Sequence, residues 1–85
     1  MQLDQLPLRK KAWIQDIDWA QMSEDEGKRL EALGIEEGAQ VEALHRGVLF
    51  WQDPIAVKVG RMTIAIRKAH ASAISVSEND ESQPQ

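Results

Sequence analysis

The chain has 85 residues, 42% of them apolar, with 14 acids against 10 Lys and Arg for a net charge of −4. A chain of this length forms one domain and buries only about 60% of its unfolded surface, and the absence of cysteine excludes disulfides and thiolate metal sites. Glu78, Asp80 and Glu81 lie at the end of the chain with no base among them, so the preceding part carries 11 acids and 10 bases, too balanced for a duplex-DNA binder.

Leu3, Leu6 and Leu8 around Pro7 form an apolar leader. Pro7 disfavours helix at Leu6, so the leader is expected to be extended and packed on the body. No apolar run of the secretory kind stands here, and none in the chain approaches the roughly 20 residues that span a bilayer. A soluble, cytoplasmic protein without membrane insertion is expected. The basic run Arg9-Lys10-Lys11 reads as a solvated flank of the first strand. That strand is predicted over Lys11 to Ile17, where Ala12 and Ile14 alternate with Trp13 and Gln15. Ile17 breaks the period as a bulge would.

Ser23 to Leu33 is the clear helix. Ser23 with Glu26 forms a capping box, and Glu24, Asp25 and Glu26 place negative charge at the positive end of the dipole. Gly34 stands where a left-handed residue ends a helix, with Ile35 positioned to fold back on Leu30. Glu36-Glu37-Gly38 reads as a tight turn. Strands follow at Ala39 to His45 (Ala39, Val41 and Ala43 on one face), at Ile55 to Val59 (Ile55, Val57 and Val59 inward) and at Met62 to Arg67 (Met62, Ile64 and Ile66 inward). Ala69 to Ala73 suits a single helical turn, and Ile74 and Val76 a last strand. Trp13 and Trp19 are read as partial core. The pattern predicts a mainly β fold, a small closed barrel of about five strands with one α-helix inserted after the first. It occupies residues 1–77, followed by a disordered acidic tail over 78–85.

In order and spacing, the motifs resemble the FeoA family. They are Leu3-x-x-Leu6-Pro7, Ala12-x-Ile14-x-Asp16-Ile17, Arg29-Leu30-x-x-Leu33-Gly34-Ile35-x-x-Gly38, Val41-Glu42-x-Leu44, Asp53-Pro54-Ile55-x-Val57-x-Val59 and Ile64-Ala65-Ile66-Arg67-Lys68-x-x-Ala71. The resemblance implies an SH3-like β-barrel. It also implies an accessory role in bacterial ferrous iron uptake, through contact with the cytosolic side of the FeoB-type membrane transporter. Similar modules form the C-terminal domain of DtxR-type iron-dependent repressors, which makes a metal-responsive regulatory module the alternative. Two positions depart from the family pattern. Glu37 stands where proline is frequent, and Leu49-Phe50-Trp51-Gln52 stands where small residues usually precede Asp-Pro.

Chemistry of other kinds finds little support. His45 and His70 are far apart in sequence and are read as solvent-facing. No bound cofactor is expected, and an association with ferrous iron is implied by the resemblance alone. No phosphate loop or nucleophile–base order accompanies Asp16, Asp18 or Asp53, so no enzymatic role is expected. Asp53-Pro54 reads as a strand start whose carboxylate fixes the local turn. The informative feature is Leu49-Phe50-Trp51, three large apolar residues where a polar turn belongs. They either fold back over the barrel mouth or form a contact patch. On the second reading, Arg46, Leu49, Phe50, Trp51 and Asp53 bind a protein partner, either the transporter or a second copy in a weak homo-oligomer.

Overall fold

The computed structural model describes residues 1–47 and 53–78. Strand β1 covers Lys11–Ile17, helix α1 Glu24–Ala32, β2 Gln40–Arg46, β3 Ile55–Val59, β4 Met62–Ile66, helix α2 Lys68–Ala71 and β5 Ile74–Ser77. Two three-residue 3-10 turns, Leu3–Gln5 and Trp19–Gln21, precede β1 and α1. The strands form one antiparallel sheet in the order β4-β3-β2-β1-β5. The fold is thus mainly β with the helix inserted after the first strand, as expected. The alternation of β1 buries Ala12 and Ile14, and its pairing with β5 shifts between Ile14 and Asp16, which restores Ile17 to the inner face. The stretch expected as a strand from Ala39 begins one residue later and ends at Arg46.

Closure of the barrel by hydrogen bonds is not observed. Among the described residues β4 and β5 do not pair, and they are the two edges of the sheet. The reason lies in the connection between them. Residues 67–73 form α2 and its flanks, which fill the gap with the buried Ala71 and Ala73 instead of bringing the two strands together. The leader shields the β5 edge. Gln2 bridges Ser75, and the Val76 amide donates to the Met1 carbonyl at 2.7 Å. Leu3 and Leu6 are wholly buried in the core with Leu30, Ile35, Ile55, Ile66 and Ile74.

The C-terminal bracket of α1 behaves as its sequence predicts, while at the start only the Ser23 half of the expected capping box forms, the Glu26 carboxylate lying by Arg29 and His70 instead. Ser23 Oγ accepts from the Glu26 amide at 3.1 Å. At the other end Gly34 takes φ +101°, the Ile35 amide donates to Leu30 O at 3.0 Å and the Gly34 amide to Glu31 O at 3.1 Å. This pair of bonds satisfies two carbonyls that a helix end otherwise leaves open, and it lays Ile35 against Leu30.

Four expectations need correction. Met62 is 45% exposed. It faces Val59 across the hairpin and so shares the inner face, but it opens an edge strand beside the Gly60-Arg61 turn, where no other element covers the rim. Leu8 is exposed, because the chain turns at Arg9, whose φ is +67°. The leader is not wholly extended, since a 3-10 turn occupies its middle; Leu6 itself is extended, as Pro7 requires. Trp19 lies outside the core and is 37% exposed. The proposed tail from residue 79 onward lies outside the described residues.

Candidate functional site

The connection between β2 and β3 is held at both ends by ordinary backbone chemistry. Arg46 pairs with Ile55 in the last register position of the two strands, and the Gly47 amide donates to Pro54 O at 2.8 Å. A Cβ at Gly47 would lie 2.6 Å from the carbonyl carbon of Asp53, so the two arms of the loop approach as closely as only glycine allows. The peptide between Asp53 and Pro54 is cis. Leu49, Phe50 and Trp51, the apolar centre of the proposed contact site, lie outside the described residues. The structure therefore brings Arg46 and Asp53 together as the two rims of the loop.

Both rim side chains also bind their own fold. The Arg46 guanidinium donates from Nη2 to Leu6 O at 2.5 Å and to Asp4 O at 3.3 Å, tying the leader to the end of β2. Asp53 Oδ1 accepts the Lys68 amide at 2.9 Å, one of the open donors at the start of α2. The turn-fixing role expected for this carboxylate is thus exercised on a helix 15 residues away. Replacing Asp53 by alanine should cost about 0.5–2 kcal/mol, the usual loss for a removed helix-start acceptor. Amide exchange should report it as faster exchange confined to residues 68–71; unchanged exchange there would contradict the capping role.

Beside this rim lies a polar cluster that the sequence did not reveal. Glu26 on α1 sits 3.4 Å from the Arg29 guanidinium, and its other oxygen lies 2.9 Å from His70 Nδ1 on α2. The His70 contact is close in distance but is not an aligned hydrogen bond, and Nδ1 has no hydrogen-bond partner. Arg29 also donates to Ala65 O of β4 at 3.0 Å. A cavity of about 340 Å³ lined by Glu26, Arg29, Asp53, Pro54, Ala65 and Arg67 opens next to it. His70 is therefore half-buried beside Glu26, not solvent-facing as expected, while His45 is exposed. The Glu26–Arg29 spacing is a readable helical pair; the approach of His70 across two elements leaves no local signal.

Charge is distributed unevenly over this frame. From Pro54 to Ser77 there are four bases (Lys58, Arg61, Arg67 and Lys68) and no acid, whereas α1 and its flanks carry most of the acids. The near-neutral balance of the whole body conceals this separation. No group of three His, Asp or Glu side chains among the described residues converges as a metal site would require.

The family model described as the FeoA domain matches residues 1–78. The chain belongs to the FeoA family. Among solved structures it is similar to FeoA from Stenotrophomonas maltophilia, a crystal structure complexed with zinc, at 27% identity and a TM-score of 0.75, covering 91% of this chain and 89% of that one. That protein is described as a procaryotic SH3 domain protein and a candidate ferrous iron transport activating factor. FeoA from Chlorobium tepidum shares 26% identity with a TM-score of 0.74, over 89% of this chain and 68% of the other. Iron(II) transport protein A from Clostridium thermocellum shares 29% identity with a TM-score of 0.76, over 89% of this chain but only 44% of that longer one. No curated protein matches the chain. The SH3-like expectation thus holds, in a version whose sheet is bridged by α2 and the leader. Among the described residues no helix is long and apolar enough to cross a membrane.

Proposed function

We propose that this FeoA-family chain is a cytoplasmic accessory factor of bacterial ferrous iron uptake, acting through contact with the cytosolic side of a FeoB-type transporter. The match of the FeoA model over residues 1–78 is the observation that carries this reading. The arrangement around the β2–β3 loop supports it. Arg46 and Asp53 anchor the two ends of a connection whose centre is Leu49-Phe50-Trp51. Leaving such side chains in water forgoes about 1.5–3 kcal/mol each relative to burial, which gives the loop a reason to meet a partner. Ferrous iron is then the cargo of the transporter and not a ligand of this chain, and the chain performs no catalysis of its own.

Calorimetric titration against the purified cytosolic domain of the transporter, and separately against ferrous iron, tests the proposal. Binding to the domain is expected, weakened at least about tenfold by the double change Phe50→Ser with Trp51→Ser, a loss of roughly 1.4 kcal/mol or more. The melting temperature of the double variant should stay within about 3 °C of the parent, since a shift of 4–8 °C would already signal about 1 kcal/mol of lost folding stability. A destabilised variant that still binds the domain would return the loop to the core. Tight ferrous binding without binding to the domain would replace the proposal with the metal-responsive regulatory module.

A further inference from the structure

The 3-10 turn at Trp19–Gln21 and helix α1 enclose an open groove of about 450 Å³, lined by Trp19, Met22 and Gly27, with Glu24, Lys28 and Glu31 along the helical side. Two unfavourable choices meet here. Trp19 leaves 37% of its surface in water. Gly27 stands inside a nine-residue helix, where glycine is a poor helix former. The geometry joins them. A Cβ on Gly27 would come within 3.3 Å of Trp19 Cε3, so the missing side chain is what lets the indole lie against the helix backbone. The ring thus rests against the helix with part of its surface uncovered. An aromatic anchor fixed in advance loses little freedom on binding, which is why tryptophan is favoured in contact sites.

The rim indicates the chemistry of the occupant. On α1, Lys28 is paired with Glu24 at 3.1 Å. Glu31, which lines the groove, is exposed and without a partner among the described residues. The exposed lining residues Glu24, Lys28 and Glu31 therefore present net negative charge beside the apolar floor. At nine residues α1 is about 13 Å long, enough to lie along two to three turns of another helix. We infer that this groove is a docking surface for a basic amphipathic helix of a partner protein, with Trp19 as its apolar anchor and Glu31 facing its Lys or Arg residues. The surface is separate from the β2–β3 loop and does not depend on the identity of the transporter.

The probe is a synthetic amphipathic helix of about four turns built only from Leu and Lys, titrated into the full chain and followed by amide and indole NMR shifts. Saturable shifts at the Trp19 indole and the Gly27 amide are expected, with binding weakened several-fold between about 50 and 500 mM NaCl. Trp19→Ala should weaken the peptide at least tenfold. Glu31→Lys, at an exposed helical position, should weaken it several-fold while leaving the thermal melt unchanged; it keeps the test meaningful if Trp19→Ala unfolds. Absence of binding at about 1 mM peptide, equal binding of the Leu/Glu counterpart, or insensitivity to Glu31→Lys would overturn the inference. Concentration-dependent dimerisation abolished by Trp19→Ala, without peptide binding, would assign the groove to a second copy instead.

Discussion

Leu30→Ala is expected to lower the melting temperature by at least about 8 °C and by up to about 40 °C, since a fully buried leucine costs roughly 2–5 kcal/mol on truncation and each kcal/mol shifts a domain of this size by about 4–8 °C. Leu30 is wholly buried and is the only buried residue of α1. Its carbonyl also accepts the Ile35 amide that closes the helix, so the side chain and backbone of one residue fix both the packing and the end of α1. Its neighbours in the core are sheet residues and the buried leader leucines, which cannot move together to fill a void. The control is Lys28→Ala, which removes a surface ion pair whose side chains are 72% and 81% exposed and should leave the melt nearly unchanged. Circular dichroism melts of both variants check the pair. A shift under about 3 °C for Leu30→Ala would mean that α1 contributes less than about 1 kcal/mol through its buried face.

The second large effect is expected in the leader. Leu6 is wholly buried, and its carbonyl receives the shorter of the two Arg46 bonds. Leu6→Ala should cost about 2–5 kcal/mol. Arg46→Met should cost about 1.5–3 kcal/mol, because it leaves the Leu6 and Asp4 carbonyls without a charged donor. The two losses should not add. Once Leu6 is truncated the leader can lift from the body, and Arg46 then returns to water at little further cost. A double-mutant cycle in urea should show a coupling of about 0.5–3 kcal/mol. Strict additivity would mean that Arg46 acts on the sheet end alone. The same result bears on the proposed partner site. Arg46 serves the fold, so loss of binding on changing it is ambiguous, and Phe50 and Trp51 are the cleaner positions to alter.

Where short-range rules govern, the sequence was a good guide. The β1 strand, the bulge near its end, the Ser23 cap and the Gly34 terminus all follow from neighbours within a few residues, and the structure has each of them. The period-two pattern correctly places Ile55, Val57 and Val59 inward, but it cannot tell where a sheet stops being covered, and so it misplaces Met62 at the rim. The open seam between β4 and β5 was equally illegible, since strand count alone does not reveal that a helical turn takes the place of a ladder. The site divides in the same way. Asp53 was readable as a local turn former, yet its actual partner is the Lys68 amide, and the meeting of Glu26 with His70 depends on how α1 and α2 sit together in three dimensions.

The pairing of the leader with β5 also determines how this fold can be joined to other sequence. Gln2 lies across from Ser75, and Met1 and Val76 share a backbone hydrogen bond, so entry to and exit from the folded unit are adjacent. A unit with neighbouring ends can be inserted into a surface loop of a host protein without prising the host apart. It can equally be permuted, with a short Gly/Ser bridge across the old ends and new ends opened elsewhere on the surface.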